Sequence, residues 1–368
     1  MHSKKNLINE FIDNKKILIT GGAGFIGGAL IRKLLTEFNS ELLNIDKLGY
    51  SSDLTSIQLI TNKSKKNNYK HINLDLNNFE KLKDIIFNFQ PDLIMHLAAE
   101  SHVDRSIDNS RVFIESNIIG TFNLLEASRI YFRELKDQKK ENFKLHHIST
   151  DEVFGSLDHN GKFSEESSYD PRSPYSASKA SSDHLVRAWH HTYQLPIIIT
   201  NCSNNFGPWQ YPEKLIPLVI HKAVSKERIP IYGDGENIRD WLYVDDHVDA
   251  LLRVISIGEI GKSYCIGGNN EISNKVLVKK ICFILNEIKP STYDYLDLIE
   301  YVKDRPGHDK RYAIDASYIK KELGWEPKYN FDESLKTTIK WYLENDAWRR
   351  KVLNRSGYKA ERLGNLSD

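Results

Sequence analysis

The run Gly21-Gly22-Ala23-Gly24-Phe25-Ile26-Gly27 constrains this chain more than any other feature. It follows the apolar stretch Ile17-Leu18-Ile19-Thr20, which reads as a buried strand, and opens a helical pattern that continues to about Leu35. Its glycines meet separate demands. Gly21 permits a tight turn, Gly24 lets the backbone approach a pyrophosphate, and Gly27 lets the helix pack on the sheet. The helix start then offers free N–H groups and a positive dipole end to an anion. Asp46 ends the next apolar stretch, 19 residues after Gly27. A carboxylate there accepts hydrogen bonds from a ribose 2′-hydroxyl and repels a 2′-phosphate. The pattern predicts a dinucleotide site, with NAD favoured over NADP.

The rest of the first half repeats the strand–helix alternation. Strands are expected at Leu42–Ile45, at His71–Leu74 ending near Asp75, at Leu93–Leu97, at Leu145–Ser149 and at Ile197–Thr200. Helices are expected over about Asn78–Asn88, Asn117–Arg129 and Ser176–Tyr193. Fully apolar strands joined by helices imply a parallel sheet covered on both faces, with right-handed crossovers. The fold class is α/β: a Rossmann-like doubly wound sheet. With 368 residues the chain exceeds one ordinary core, and the alternation stops after Ser203. Residues 1–203, with a returning segment near 245–267, form the expected NAD-binding domain. Residues 204–244 and 268–368 form a smaller mixed α/β substrate-binding lobe.

Composition removes several classes of function. Lys and Arg total 51 against 50 Asp and Glu, so no global field draws nucleic acid or an anionic membrane. Cys202, Cys265 and Cys282 have neither zinc nor disulfide-scaffold spacing. No metal is expected, and a reducing, cytoplasmic setting is. The lysine-rich start lacks the apolar core of a signal peptide, and no apolar run approaches the ~20 residues that span a bilayer. Lys63-Ser64-Lys65-Lys66 reads as a solvated loop and the segment after Arg350 as a polar tail.

Chemistry is suggested by two groups of residues. Tyr175 and Lys179 stand at i and i+4, on one face of a helix, where an ammonium favours a phenolate. A tyrosinate beside a nicotinamide can take the proton of a substrate hydroxyl while hydride leaves the carbon. Thr150-Asp151-Glu152 ends the fifth strand, at the sheet edge where ligands of open α/β sheets bind. Thr150 can bond a sugar hydroxyl. Adjacent carboxyls suit loss of water next to a carbonyl, one removing the α-proton while the other protonates the departing hydroxyl. Asp75 is either an adenine contact or a turn residue. Leu97-Ala98-Ala99-Glu100 is either a close pass along the cofactor or tight packing. Asn204, Asn205, Lys214, Tyr232, Arg239 and Asp304–His308 fit a nucleotide diphosphate pocket if the second lobe folds over the sheet edge. The pairs His146-His147 and His190-His191 read as structural.

The motifs ILITGGAGFIG, IMHLAAESHVDRSI, HHISTDEVFG, SPYSASKASSDHLVRAW, TNCSNNFGP, EKLIPLVI, PIYGDG, IRDWLYVDDH and DRPGHDKRYAID run from Lys16 to about Tyr342. The chain resembles the dTDP-glucose 4,6-dehydratases of the extended short-chain dehydrogenase/reductase superfamily. The Thr-Asp-Glu triplet, SNN, EKLIP and DRPGH are the specific part. The resemblance implies that Phe25, Ile26, Asp46, Lys47, Leu48, Asp75, Leu76, Leu97, Ala98, Ala99, Glu100, Ser116, Tyr175, Lys179 and Asn205 line NAD. Ser116 stands where the family has threonine, and Gly49 replaces another. It implies that Ser101, Thr150, Asn204, Lys214, Leu215, Pro230, Ile231, Tyr232, Arg239, Asn274, Asp304, Arg305, Pro306, Gly307 and His308 hold dTDP-glucose. Tyr175 would be the base of C4 oxidation, Asp151 the acid and Glu152 the base of elimination. Hydride taken from C4 would return to C6, giving dTDP-4-dehydro-6-deoxy-glucose, a precursor of rhamnose. A homodimer pairing the helices near 117–129 and 176–193 is also implied. The competing readings are a UDP-sugar 4,6-dehydratase, a 4-epimerase, and a non-catalytic NAD-binding regulator.

Overall fold

The computed structural model describes residues 2–63, 68–356 and 358. Its centre is a seven-stranded parallel sheet. The strands are β1 (Lys16–Thr20), β2 (Glu41–Asp46), β3 (Tyr69–Asn73), β4 (Leu93–His96), β5 (Lys144–Thr150), β6 (Ile197–Cys202) and, after three strands outside it, β10 (Ser263–Ile266). Their order is β10-β6-β5-β4-β1-β2-β3. Strand order reverses between β1 and β4, so a crevice opens at their carboxyl ends. β1 and β4 are buried on both faces, which is why their residues are almost all apolar.

Two small sheets stand beside it. β7 (Asn204–Phe206), β9 (Ile238–Tyr243) and β11 (Glu271–Ser273) form one, and β8 (Ile229–Tyr232) pairs with β12 (Ile299–Val302). A separate core underlies them, built on Phe206, Ile216, Ile231, Leu277, Ile281, Leu335 and Tyr342. Helix Ser317–Leu323, which the sequence reading puts in the second lobe, packs elsewhere. Ile319 and Trp325 join the core beside β10, because Tyr318 stacks on buried Tyr264.

The expected elements are present, with informative differences. β3 ends at Asn73, because the Asp75 carboxylate accepts from Asn77 N (2.9 Å) and turns the chain. The helix expected near Asn117 begins as a π-helical turn, Ile114–Ile119, before the α-helix Gly120–Glu134. That turn frees the Asn117 carbonyl to accept from Thr121 Oγ1 and Ser182 Oγ, both 2.6 Å away. The lysine-rich start is a helix, His2–Ile12, whose Ile8 and Ile12 enter the sheet's core. Lys63 lies in the turn after helix Thr55–Thr61, and Ser64 to Lys66 fall outside the described residues. The segment expected as a polar tail carries a helix, Asp346–Ser356, which buries Trp348 and Val352.

The N-terminal helix gives a stability test. Ile12 is fully buried while Leu7 is 52% exposed. Ile12→Ala should lower unfolding free energy by about 2–4 kcal/mol through the lost transfer energy and the cavity. Leu7→Ala should change it by less than about 0.5 kcal/mol. Urea titration of both variants measures the difference.

Candidate active site

The glycine run turns out of β1 against the chain leaving β4. Gly21 has φ +75°, and a Cβ there would stand 2.6 Å from Ala98 Cα. A Cβ on Gly27 would meet Gly21 O at 2.3 Å. Neither position has room for a side chain. Around a Cβ on Gly24 the nearest atom would be Gly21 O at 3.2 Å, so the other side of this loop is open. The helix Phe25–Glu37 starts here with no acidic residue in its first turn. This is the cradle a pyrophosphate needs.

Asp46 is buried and organises the neighbouring loop. It accepts from Ala23 N (3.0 Å), Leu48 N (2.8 Å) and Ser52 Oγ (3.0 Å). A carboxylate has about four acceptor positions, so one remains for a ribose hydroxyl. Lys47 turns to Ser116 Oγ (2.6 Å) and to Glu100 (3.1 Å). Its charge is thereby matched, which leaves Asp46 to discriminate against a 2′-phosphate. These residues fit NAD. Two others are engaged with the protein: Leu76 is buried and its carbonyl accepts from Asn123, and the exposed Asp75 holds its turn. Asn205 lies beneath the site. Its amide donates to Ser203 O, and its Oδ1 faces His247 Nδ1 at 2.9 Å.

The helix Pro174–Tyr193 starts at a Ser173–Ser176 capping box and buries Tyr175 and Lys179 together. Lys179 Nζ donates to Ile148 O (3.0 Å). The phenol departs from the expected direction. Burial, and then the charge of Glu152, push Tyr175 well above the usual tyrosine range; a hydrogen bond with Thr150 opposes them. Burial also lowers Lys179, with Asp183 opposing. Asp183 itself accepts from His147 Nε2 (3.0 Å) and Tyr169 Oη (2.7 Å). His147 is structural, as its sequence context suggests.

The paired carboxyls occupy a 3-10 turn, Asp151–Phe154, at the end of β5. Asp151 is fully buried and its Oδ2 has no partner within the protein. Burial, Glu152 and Asp240 raise Asp151 well above the carboxylate range. Glu152 is half-buried, and its pKa is also raised by burial, against the opposing charges of Arg305, Lys214 and Arg239. Both carboxyls are thus raised by burial, but their neighbours differ: Glu152 and Asp240 add to the rise at Asp151, while three cations oppose it at Glu152.

Across the crevice stands the second lobe. Lys214 Nζ donates to Ser101 O (2.7 Å), and Leu215 begins the following helix. Arg239 stacks on Tyr312 at 4.2 Å and donates to Ile238 O and Asp309 O, so its fork also fixes the loop carrying Asp304–His308. Arg305 pairs with Asp104, and His308 Nδ1 lies 2.6 Å from Asp304. Burial, Arg305 and Arg239 push His308 down to about 4. Pro230, Ile231 and Tyr232 lie along β8, and Pro306 and Gly307 are exposed at the loop tip. Asn204 Oδ1, Asn274 Oδ1 and Arg305 Nε are buried without a protein partner. Such atoms cost stability unless a ligand satisfies them.

Sequence reasoning missed Asn117 and Asp104. Asn117 bonds the backbone of Glu100 (2.8 and 3.0 Å) and Ser178 Oγ (2.8 Å), joining the loop after β4 to the Tyr175 helix. No spacing marks an asparagine for this work. Among the described residues, no cluster of side chains could hold a metal, and no helix is long and apolar enough to cross a membrane.

The profile of a family described as GDP-mannose 4,6 dehydratase matches residues 18–338. A dTDP-glucose 4,6-dehydratase of Neisseria meningitidis is 50% identical over 355 residues, covering 95% of this chain and 99% of that protein. One from Salmonella typhimurium is 52% identical over 346 residues, covering 92% and 95%. The dTDP-glucose 4,6-dehydratase of Bacillus anthracis, solved in complex with NAD, superposes with a TM-score of 0.80 at 42% identity, covering 92% and 99%. A UDP-glucose 4-epimerase from Thermotoga maritima shares the fold (TM-score 0.77) at 27% identity, covering 89% and 99%. At about half identity over nearly the whole of both chains, this chain belongs to the dTDP-glucose 4,6-dehydratases of the extended short-chain dehydrogenase/reductase superfamily.

Proposed function

We propose that this chain converts dTDP-glucose to dTDP-4-dehydro-6-deoxy-glucose, with NAD as a bound and regenerated oxidant. The observation that carries the reading is the placement of Asp151 and Glu152 side by side at the end of β5, the first fully buried with a free carboxyl oxygen and the second facing Arg305, Lys214 and Arg239. An epimerase oxidises C4 but has no water to expel, so it needs no such pair. The intact Tyr175, Lys179, Asp151 and Glu152 disfavour a non-catalytic regulator.

NAD, when bound, brings a positive nicotinamide ring that favours the phenolate and serves as acceptor of the C4 hydride and later as its donor to C6. Gly21, Gly24 and Gly27 would cradle its pyrophosphate, and Asp46 its ribose. Tyr175 takes the proton of the C4 hydroxyl, with Thr150 orienting that oxygen. The resulting 4-keto sugar has an acidic C5 proton. Glu152, whose carboxylate Arg305, Lys214 and Arg239 favour against the effect of burial, removes it. Asp151 gives its proton to the C6 hydroxyl, and water departs; as C6 regains hydride, C5 takes back a proton from Glu152. Lys214, Arg239, Asn274 and the Asp304–His308 loop would hold the nucleotide diphosphate. In this reading residues 1–203 and 245–267 serve the cofactor, and 204–244 and 268–368 the sugar nucleotide. We also infer a cytoplasmic enzyme, from the three free buried cysteines, and a homodimer. Ile119 (44% exposed) and Phe122 (39%) lie on the segment running from the π turn into helix Gly120–Glu134, and Tyr193 (44%) ends helix Pro174–Tyr193.

Incubation with dTDP-glucose and, separately, UDP-glucose tests the reading. Mass spectrometry should show loss of water from the first, and preference for the second would move the chain to the UDP-sugar enzymes. Light scattering should give twice the chain mass, and Phe122→Glu should reduce it to one.

Three substitutions separate the steps. Glu152→Gln should cut product formation by about 10²–10⁴, the usual worth of a placed general base, and slow C5 exchange in deuterated water in parallel. Asp151→Asn should stall water loss while C5 exchange continues. Tyr175→Phe should block both. Asp151 carries a linked stability effect. Its folded pKa lies above its unfolded value, so the folded state binds the proton more tightly. Stability is therefore greatest below the unfolded pKa and falls as pH rises from there toward the folded pKa. Asp151→Asn removes this cost and should melt higher than the parent at pH 7, by less as pH is lowered.

A further inference from the structure

The stretch after β4 reaches across the crevice at three points. Ser101 O receives Lys214 Nζ (2.7 Å), Arg105 Nε donates to Glu213 (2.9 Å), and Asp104 takes hold of two side chains at once. Its Oδ1 accepts from Arg305 Nη1 at 2.5 Å and its Oδ2 from Tyr232 Oη at 3.3 Å. Asp104 is only 7% exposed at its side chain, so its charge must be matched within the protein. The two partners come from neighbouring strand ends, since Tyr232 pairs with Val302 where β8 and β12 run side by side. We propose that Asp104 is a positioning residue for sugar-nucleotide binding, which sets Arg305 and Tyr232 in register from the opposite wall of the crevice.

The inference rests on the reading of Arg305 and Tyr232 as substrate-holding residues. Arg305 sits on a loop whose neighbours Asp304, Pro306 and Gly307 are exposed, so little else in that loop fixes its side chain. With Nη1 given to Asp104, the guanidinium presents an edge whose Nε has no partner within the protein. A planar fork anchored at one nitrogen is oriented for the oxygens of a diphosphate. Asp104 thereby acts on the substrate through two other residues and touches none of the reacting atoms.

Steady-state kinetics with dTDP-glucose and calorimetric binding of dTDP decide the matter, with bound NAD and circular dichroism as checks of the fold. Arg305→Ala comes first and tests the underlying reading: unchanged KM and unchanged dTDP affinity there would remove Arg305 from the substrate site. Given a loss in that variant, Asp104→Asn should raise KM and weaken dTDP by about tenfold or more, as when one member of a buried pair is lost, with the larger share in KM rather than kcat. In the Arg305→Ala background the same substitution should add much less. A KM that is unchanged in Asp104→Asn overturns the proposal. A lowered KM also overturns it, since Asp104 would then compete with substrate for Arg305. Equal, additive losses in both backgrounds point to a merely structural role and overturn it as well. Asp104→Glu keeps the charge and lengthens the arm by one methylene. It should recover part of the affinity, and it carries the test if the asparagine variant does not fold.

Discussion

Everything in the crevice is placed relative to one backbone crossing, where Gly21 leaving β1 lies against Leu97 and Ala98 leaving β4. Leu97 N donates to Thr20 O (3.0 Å), and Ala98 N to Thr20 Oγ1 (3.3 Å). Side chains are excluded from this crossing by Gly21, whose positive φ and missing Cβ both matter. The strand order reverses at this point, so the connections diverge to opposite sides and leave a gap. His96 continues the same tie inward. Its ring nitrogens lie 2.7 Å from Thr20 Oγ1 and 2.9 Å from Thr121 Oγ1, which joins β1, β4 and the helix after the π turn. Burial lowers its pKa, so this link stays neutral and insensitive to ordinary changes of pH.

Two adjacent carboxyls with different duties are made by the walls on either side of them. Asp151 faces the protein interior, where burial first, and then Glu152 and Asp240, disfavour its charge. Glu152 is half-buried toward the second lobe, which supplies Arg305, Lys214 and Arg239. The sheet alone therefore cannot produce the asymmetry. It needs the cations of the second lobe, and those are fixed by backbone carbonyls and by Asp104. The same arrangement leaves Asn204, Asn274, Asp151 and Arg305 each with a buried polar atom that has no protein partner. Stability given up at these atoms is what a bound sugar nucleotide can return.

What was readable in the sequence follows from how local the physics is. The glycine turn, the buried strands and the Tyr175–Lys179 face depend on neighbours within a few residues, and each is found where the pattern puts it. The limits appear where long-range contacts decide. Two lysines among the first five residues hide a helix whose apolar side, Ile8, Phe11 and Ile12, packs on the sheet's core. The π turn at Ile114–Ile119 exists because Asn117 has partners at Glu100, Ser178 and Ser182, none of them nearby in sequence. The lysine one turn away predicts a lowered Tyr175 pKa. Burial and Glu152, both tertiary effects, reverse that direction. Ser317–Leu323 was assigned by chain position to the second lobe, whereas the Tyr318–Tyr264 stack binds it to β10.

The segment from Glu100 to Arg105 shows how closely the two halves of the crevice are coupled. Glu100 matches the charge of Lys47 on the cofactor side, and its backbone is clamped by Asn117 from the helix below. One residue later Ser101 O holds Lys214, and Asp104 and Arg105 hold Arg305 and Glu213 on the substrate side. Arg105 is steadied in turn by Tyr50, which lies 3.8 Å beneath its guanidinium and donates to the same Glu213. Tyr50 belongs to the loop after β2, four residues beyond Asp46. Through Tyr50 the loop is tied to Glu213, the sequence neighbour of Lys214. The loop after β2 and the wall that carries Lys214 and Arg305 thus share one connected set of contacts, which runs through Tyr50, Glu213 and the segment from Ser101 to Arg105.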